Sequence, residues 1–567
     1  MTSTPEDGDV INPAEELRIV FNRDVDATTL TPADVTLTGP SGNIPILQVE
    51  PDESPAIFVV HPGATLLAGS HTLAVDTDIH SSTGLVLSAP YTVNFEVDAV
   101  PPVAVIEGDT SGAVGMTLRF EAAASSDDEG IVFYRWNFGD VSNDESTGTS
   151  ASHFYDAAGQ YTVTVTVVDA GGLTDTATLT VDVTDAPVAI HVPWKRTPGG
   201  VELPHETWTG KTITHKAVAW NISPPFNYQW EFGDGQFSPM LTASDEDEAF
   251  ALEAQHAYVG PVGATFTATV RVFDNVNNVI ASDTYPIVMR PLTLATERNV
   301  AIDEGLWYLH KNMIRRTIDS LRHGGEWEFT YGGVATRPGP GASAVHAFEI
   351  HEHLESDDPM LNPYVDTVRI ALQSLFDELV VDDITGQVGR DPDVNGNGIG
   401  ITIADGTESY ELGMVMDALL AGGRRELSSV AGRVGIFGRT YGDVIQDMAD
   451  QFAFAQREDV NVLGGWRYQL NDGEGDNLSA DNSANQWAAV GLMPAEILFG
   501  TIVPPWVKTA NLTWVNYSRR AAGGYAYNRP DNDSEDSYGT TAGAMVQLAW
   551  LSQHSGGLLW RRGEDFI

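Results

Sequence analysis

The chain has 567 residues, too many for one domain and enough for about three to five. Its 79 acidic and 30 basic residues leave a formal net charge of −49, a surface that repels nucleic acid and anionic lipid and attracts cations. There is no cysteine, which removes disulfides, thiolate metal ligands and thiol nucleophiles together.

The acid excess has two readings that stay open, a protein decorated with Ca²⁺ sites and a protein kept soluble in high salt. A hydrophobic fraction of 42% lets each domain bury a core. The opening Met1 to Glu6 lacks the basic and apolar regions of a signal peptide, so a processed chain or a segment of a longer precursor is expected. No run of about 18 apolar residues predicts a transmembrane helix.

From about residue 8 to 98 the chain alternates with period two, as in Leu17-Arg18-Ile19-Val20-Phe21 and Tyr91-Thr92-Val93-Asn94-Phe95. Short strands between Gly, Pro and Asp turns predict a β-sandwich over 1–99. The pattern resembles the bacterial Ig-like domains of surface-layer proteins. Pro101-Pro102 opens a second segment, 100–186, with Tyr134-Arg135-Trp136-Asn137-Phe138-Gly139-Asp140 and Gly159 to Asp169. It resembles a PKD domain, a β-sandwich of extracellular proteins, and its Trp, valines and Gly-Asp read as core and turn rather than chemistry. A diverged second copy is expected over 187–291, carrying Tyr228-Gln229-Trp230-Glu231-Phe232-Gly233-Asp234-Gly235, with Asp245 to Ala254 read as an inserted surface loop. Three sandwiches in a row read as a spacer.

After Met289-Arg290-Pro291 the hydrophobic period changes to about 3.6. Helices are predicted near 296–315, 341–355, 362–380, 409–421, 440–457, 483–498, 505–520 and 537–553, pairing as hairpins. Gly464-Gly465-Trp466-Arg467-Tyr468 and Gly523-Gly524-Tyr525-Ala526-Tyr527 repeat one turn, with a looser copy at Gly324-Gly325-Glu326-Trp327-Glu328-Phe329. These turns and the Ser409-Tyr410 and Ser537-Tyr538 helix starts resemble prenyltransferase and squalene-oxidase repeats. That resemblance implies an α/α toroid, terpenoid cyclase-like, over 292–567. Four hairpins are countable where a full toroid of the family has about six, so the expected fold class is multidomain: N-terminal Ig-like and PKD β-sandwiches, then an all-α helical-hairpin toroid or partial toroid.

The family's cyclases use an Asp-x-Asp-Asp acid, and Asp533-Ser534-Glu535-Asp536 precedes a helix here, making Glu535 and Asp536 the weak catalytic candidates beside the reading of an ordinary acidic turn. The family's zinc chemistry and thioester both need a cysteine that this chain lacks. His346, His351 and His353 cluster with Glu349 on the predicted helix 341–355, where positions 346, 349 and 353 share a face, a conceivable metal site without a zincin spacing. The preferred metal candidate is Asp391-Pro392-Asp393-Val394-Asn395-Gly396-Asn397, with oxygen ligands at positions 1, 3 and 5 of a calcium-type loop. Its position 12 is Thr402, so a further ligand is expected from Asp405 or Glu408. Asp472, Glu474, Asp476, Asp531 and Asp533 are lesser sites of the same kind.

Together these features predict a secreted or cell-surface structural or interaction protein, an appendage, surface-layer or adhesion component, more an assembly unit than an enzyme. A calcium-stabilised helical module would contact other protein chains or a cell-surface polymer, with a homo-oligomer or filament possible, no nucleic-acid partner and no membrane span. The alternative is an extracellular enzyme acting on a terpenoid or carbohydrate in the toroid cavity. Aromatics packed as turn plugs would favour the first, and a deep cavity lined by Trp466, Tyr468, Tyr525 and Tyr527 the second.

Overall fold

The computed structural model describes residues 1–141, 143–146, 148–197, 200–318, 322–331, 334–386, 390–404, 408–457, 464–470, 480–520, 523–528, 538–553, 557, 559–561 and 564. The chain forms two compact units. One comprises Met1–Glu107, Ala122–Thr147 and Thr162–Leu179, the other Gly108–Glu121, Gly148–Tyr161 and Thr180–Ile567. Among the described residues no helix is long and apolar enough to cross a membrane.

In the first unit, alternating side chains produce two sheets that share one core. Thr2–Thr4, Leu17–Val20, Ile57–Pro62 and Ile46–Pro51 form one sheet in that order. Val10–Ile11, Tyr91–Val97, Gly69–Val75, Val35–Gly39 and Gly42–Ile44 form the other. Leu17, Ile19, Leu37, Phe58, Leu73 and Val93 meet between them, all buried. Pairing is antiparallel except for Val10–Ile11, which runs parallel to Tyr91–Val97. Farther along, Ile131–Asn137 pairs antiparallel with Gly159–Asp169, setting Trp136 opposite Val165.

In the second unit, Val188–His191, Thr212–Trp220 and Leu252–Ala257 form one sheet of a further sandwich. His205–Thr207, Val279–Met289, Thr265–Phe273, Phe226–Glu231 and Leu241–Ala243 form the other. Trp230, Tyr258, Val270 and Tyr285 fill the space between. The segment 245–254 is not a surface loop. Asp245 caps a short helix, Glu246–Ala249, and the chain then enters Leu252–Ala257, where Glu253 accepts a 2.8 Å hydrogen bond from Trp307 Nε1 and the Phe250 carbonyl lies 3.0 Å from His310 Nε2. Burying Trp307 needs a partner for its indole N–H, and this segment supplies it.

Helices occupy Leu294–Lys311, Pro338–Glu349, Pro363–Glu378, Glu408–Ala421, Tyr441–Phe454, Asn482–Pro494, Pro505–Ser518 and Tyr538–Trp550. From Pro338 onward the chain alternates between two sets. Pro338–Glu349, Glu408–Ala421, Asn482–Pro494 and Tyr538–Trp550 pack side by side in succession, and the others fall between them in sequence. Small residues permit the close approach: Gly413 meets the Trp487 backbone, and a Cβ there would overlap the Trp487 carbonyl.

The Gly464 and Gly523-Gly524 turns have positive φ, as the motif requires, with Gly464 at +87° pressed against the Ala510 carbonyl. The looser copy differs. Gly324 and Gly325 lie in the strand His323–Glu326, paired with Ile314–Thr317, because the partner strand offers backbone hydrogen bonds that a turn would forgo.

Within the same unit, the strand pair Leu118–Glu121 and Ser150–His153 is held by the helical half rather than separated from it. Arg119 Nη1 meets Glu355 at 3.0 Å, and Ser428 N donates to Ser150 Oγ at 3.1 Å. A simple end-to-end spacer is therefore not what these residues form.

Candidate metal centre

Three carboxylates of the first unit converge: Asp98, Asp127 and Asp169, whose ligand oxygens lie within 4.8 Å of one another. Each is placed by its own backbone. Asp98 follows the strand Tyr91–Val97, its N–H donates to Ile11 O at 2.9 Å, and its Oδ1 accepts Val100 N–H at 2.9 Å. Asp127 sits in the loop before Ile131–Asn137, with Oδ2 accepting Glu129 N–H at 2.8 Å. Asp169 ends its strand in a tight turn, with Oδ1 accepting Leu173 N–H at 2.8 Å. Gly171 lets that turn approach, since a Cβ there would stand 2.9 Å from Asp98 Cβ.

One oxygen of each carboxylate is thus satisfied by a backbone N–H. The other, Asp98 Oδ2, Asp127 Oδ1 and Asp169 Oδ2, is buried without a hydrogen-bond partner. Asp98 is 3% exposed and Asp169 1%. At an effective dielectric near 20, each like-charge pair at this range costs about 3 kcal/mol. Burial raises the Asp169 carboxyl above its usual range, and Asp98 and Asp127 raise it further, against the opposing Leu173 N–H. An arrangement of carboxylate oxygens alone, within 4.8 Å of one another, fits a hard divalent cation and offers nothing to a soft one.

Sequence reasoning assigned Asp169 to the core-and-turn pattern and left Asp98 at a domain boundary. The usable signal was the pair of acidic Gly turns, Asp127-Asp128-Glu129-Gly130 and Asp169-Ala170-Gly171-Gly172. The third ligand came from across the boundary.

The predicted loop is differently occupied. Asp391 Oδ1 accepts Asp393 N–H, and Asp393 accepts the N–H groups of Gly396, Asn397 and Gly398. Asn395 and Asn397 donate their amides to Asp447, which also meets Arg439 at 2.7 Å. Asp450 beside them is pushed up to about 7, by burial first and by Asp447 and Asp393 as well, against a Gln446 hydrogen bond. Glu408 Oε2 accepts Leu470 N–H at 2.6 Å. Asp405, Asp472, Glu474, Asp476, Asp531, Asp533, Glu535 and Asp536 lie outside the described residues.

His346, Glu349 and His353 do not share a helix face, because the helix ends at Glu349. His346 Nδ1 pairs with Asp417 at 2.7 Å, while His353 is buried with Nε2 3.2 Å from the Trp194 carbonyl. Trp466 and Tyr525 are turn plugs: Trp466 donates to Phe452 O and Tyr525 to Leu559 O, each at 2.8 Å. Tyr468 and Tyr527 are half-buried, with their hydroxyls 2.6 Å apart beside an Arg467–Asp481 pair.

Residues 99–184 match the PKD domain family, which takes in Asp127 and Asp169 and begins one residue after Asp98. A microbial collagenase of Vibrio alginolyticus is 44% identical over 81 residues, 14% of this chain and 10% of the collagenase, so the match spans about a tenth of that relative's length. The PKD1 domain of Vibrio anguillarum Epp is 36% identical, covers 15% of this chain and 96% of that one, and has a TM-score of 0.14. A family 76 glycoside hydrolase from a bovine Bacteroides thetaiotaomicron strain is 11% identical, covers 64% and 76% of the two chains, and has a TM-score of 0.31. Residues 99–184 are a PKD domain, set in a multidomain chain with sheets toward its N-terminus and helices toward its C-terminus.

Proposed function

We propose that this is an extracellular structural and interaction protein in which Ca²⁺, held by Asp98, Asp127 and Asp169, locks the Ig-like sandwich to the PKD loops. The observation that carries this reading is the trio of buried carboxylate oxygens without hydrogen-bond partners. A cation there replaces three-way repulsion with attraction and fixes the chain where it leaves Tyr91–Val97. The helical half is read as a partial α/α toroid serving as the contact module. Turn-plug packing of Trp466 and Tyr525 favours a scaffold over a cavity enzyme. The extracellular setting rests on the absence of cysteine, the acid excess and the PKD likeness to a collagenase. The Asp391–Asn397 loop is the second calcium candidate, ranked lower because Asp391 Oδ1 and both oxygens of Asp393 are already engaged by backbone N–H groups.

Thermal unfolding against Ca²⁺ concentration tests the proposal, at matched ionic strength and with a chelator control. A saturable rise in midpoint that Asp127→Ala and Asp169→Asn abolish, and Asp393→Ala does not, supports the trio. A rise reproduced by any salt assigns the acidity to solubility instead. Retention of the rise in Asp169→Asn moves the site elsewhere.

A further inference from the structure

Lys216 is one of five lysines in the chain and has no exposed surface, in the middle of Thr212–Trp220. Its Nζ lies 2.6 Å from Oδ1 of Asp303, on the helix Leu294–Lys311. An ammonium has three donors to place, yet neither Lys216 Nζ nor Asp303 Oδ1 makes a hydrogen bond of acceptable geometry. The other carboxylate oxygen is held, with Asp303 Oδ2 2.8 Å from His205 Nδ1. Tyr285 donates its hydroxyl to Thr214 O at 3.2 Å, so His205 Nδ1 carries a proton that it shares between Asp303 Oδ2 and the Tyr285 oxygen at 2.7 Å. His205 and Tyr285 are themselves fully buried and stacked, with centroids 3.8 Å apart. Glu304 Oε1 stands 3.7 Å from Lys216 Nζ at the wetter side.

A buried ammonium that touches a carboxylate without completing its hydrogen bonds is a costly arrangement. Condensation removes both charges and leaves one N–H and one carbonyl to satisfy. We propose that Lys216 and Asp303 are joined by an intramolecular isopeptide bond, formed once per molecule after folding.

The step balances without an oxidant or cofactor. One proton passes from Lys216 Nζ to the Asp303 carboxylate, turning the ion pair into a neutral amine and a carboxylic acid. The amine lone pair attacks Cγ, and the negative charge that develops on Oδ2 is held by the His205 Nδ1 proton. Oδ1 leaves as water, carrying its own proton and a second Nζ proton relayed by Glu304. A C–N bond replaces a C–O bond, and the products are an amide and one water. Burial drives the Asp303 carboxyl up, while Lys216 and His205 outweigh it and draw it down to about 2. The ion pair is therefore the resting reactant, and the reaction is slow and single-turnover. The bond ties the central strand of a sandwich sheet to the first long helix, a crosslink that a chain without cysteine cannot make by disulfide.

The test is the intact mass of the full chain under denaturing conditions. The expected mass is lower than the sequence mass by one water, about 18 Da. Tandem mass spectrometry should find the Lys216 and Asp303 tryptic peptides joined, and Lys216→Met should restore the full sequence mass. Asp303→Asn should condense with loss of ammonia instead, about 17 Da. A wild-type mass equal to the sequence mass, with Lys216 recovered in a linear peptide, overturns the proposal and leaves an ion pair. The wild-type measurement decides the matter even where a variant fails to fold.

Discussion

Arg369 Nη1 lies 2.6 Å from Asp109 Oδ2, and both side chains are almost wholly buried. The same guanidinium donates to the carbonyls of Thr117, Glu355 and Asp357, so it binds the segment around Asp109 to the helix Pro363–Glu378 and the loop before it.

Arg369→Met removes one partner of this pair and strands the other. Breaking a buried pair from one side costs about 3 kcal/mol or more. Urea unfolding should show that loss in the midpoint, with an unchanged slope. A loss near zero would mean that water reaches Asp109 and the docking is weak.

Asp169→Asn should change sign with calcium. The Asp169 carboxyl is raised in the fold, so the native state holds its proton longer than the unfolded chain, and stability falls as pH rises through the carboxylate range. In chelator at neutral pH the asparagine variant should match or exceed the wild type. In calcium the wild type should be the more stable, and the curves should cross during a calcium titration of the melting midpoint.

His191 lies between Asp283 Oδ2, at 2.7 Å, and Glu202 Oε2, at 2.8 Å. Burial draws its pKa down, but the two carboxylates more than offset that and raise it to about 9. A raised histidine stabilises fully below its unfolded value near 6.5, and the contribution disappears as pH climbs through the folded value. The stability advantage of wild type over His191→Gln should shrink between pH 6.5 and 9, measured by denaturant titration at several pH values.

Gly413→Ala would gain about 1 kcal/mol in helix propensity on an open surface. Here the added methyl overlaps the Trp487 carbonyl, so Glu408–Ala421 and Asn482–Pro494 must part. The expected outcome is a net loss of about 2 kcal/mol in thermal or chemical unfolding. A gain would show that the two helices separate freely.

Local periodicity located the secondary structure well. Among the described residues, the eight helices of twelve or more residues all overlap the 3.6-period windows, because each buries a broad apolar face whose spacing is written in the chain. Trp136, Trp230 and the valines around them were legible as core for the corresponding period-two reason. Misreadings occurred where a tertiary partner overrode a local pattern. Gly324-Gly325 became strand beside Ile314–Thr317, Asp245 to Ala254 was recruited to cover Trp307, and the helix carrying His346 stopped at Glu349.

Composition and pattern alone determined that this is an acidic, cysteine-free, multidomain chain with sheets first and helices after. They could do so because burial of apolar faces and charge are sums over many residues and tolerate local error. The tertiary structure alone decided which polar groups meet. Asp98, Asp127 and Asp169 are 29 to 71 positions apart in the chain, and Lys216 and Asp303 are 87 positions apart. An acidic turn in an acidic protein looks the same whether its carboxylate ends in water or opposite two others. The distinction lies in the few ångströms of strand register and turn geometry that bring those oxygens out of solvent together.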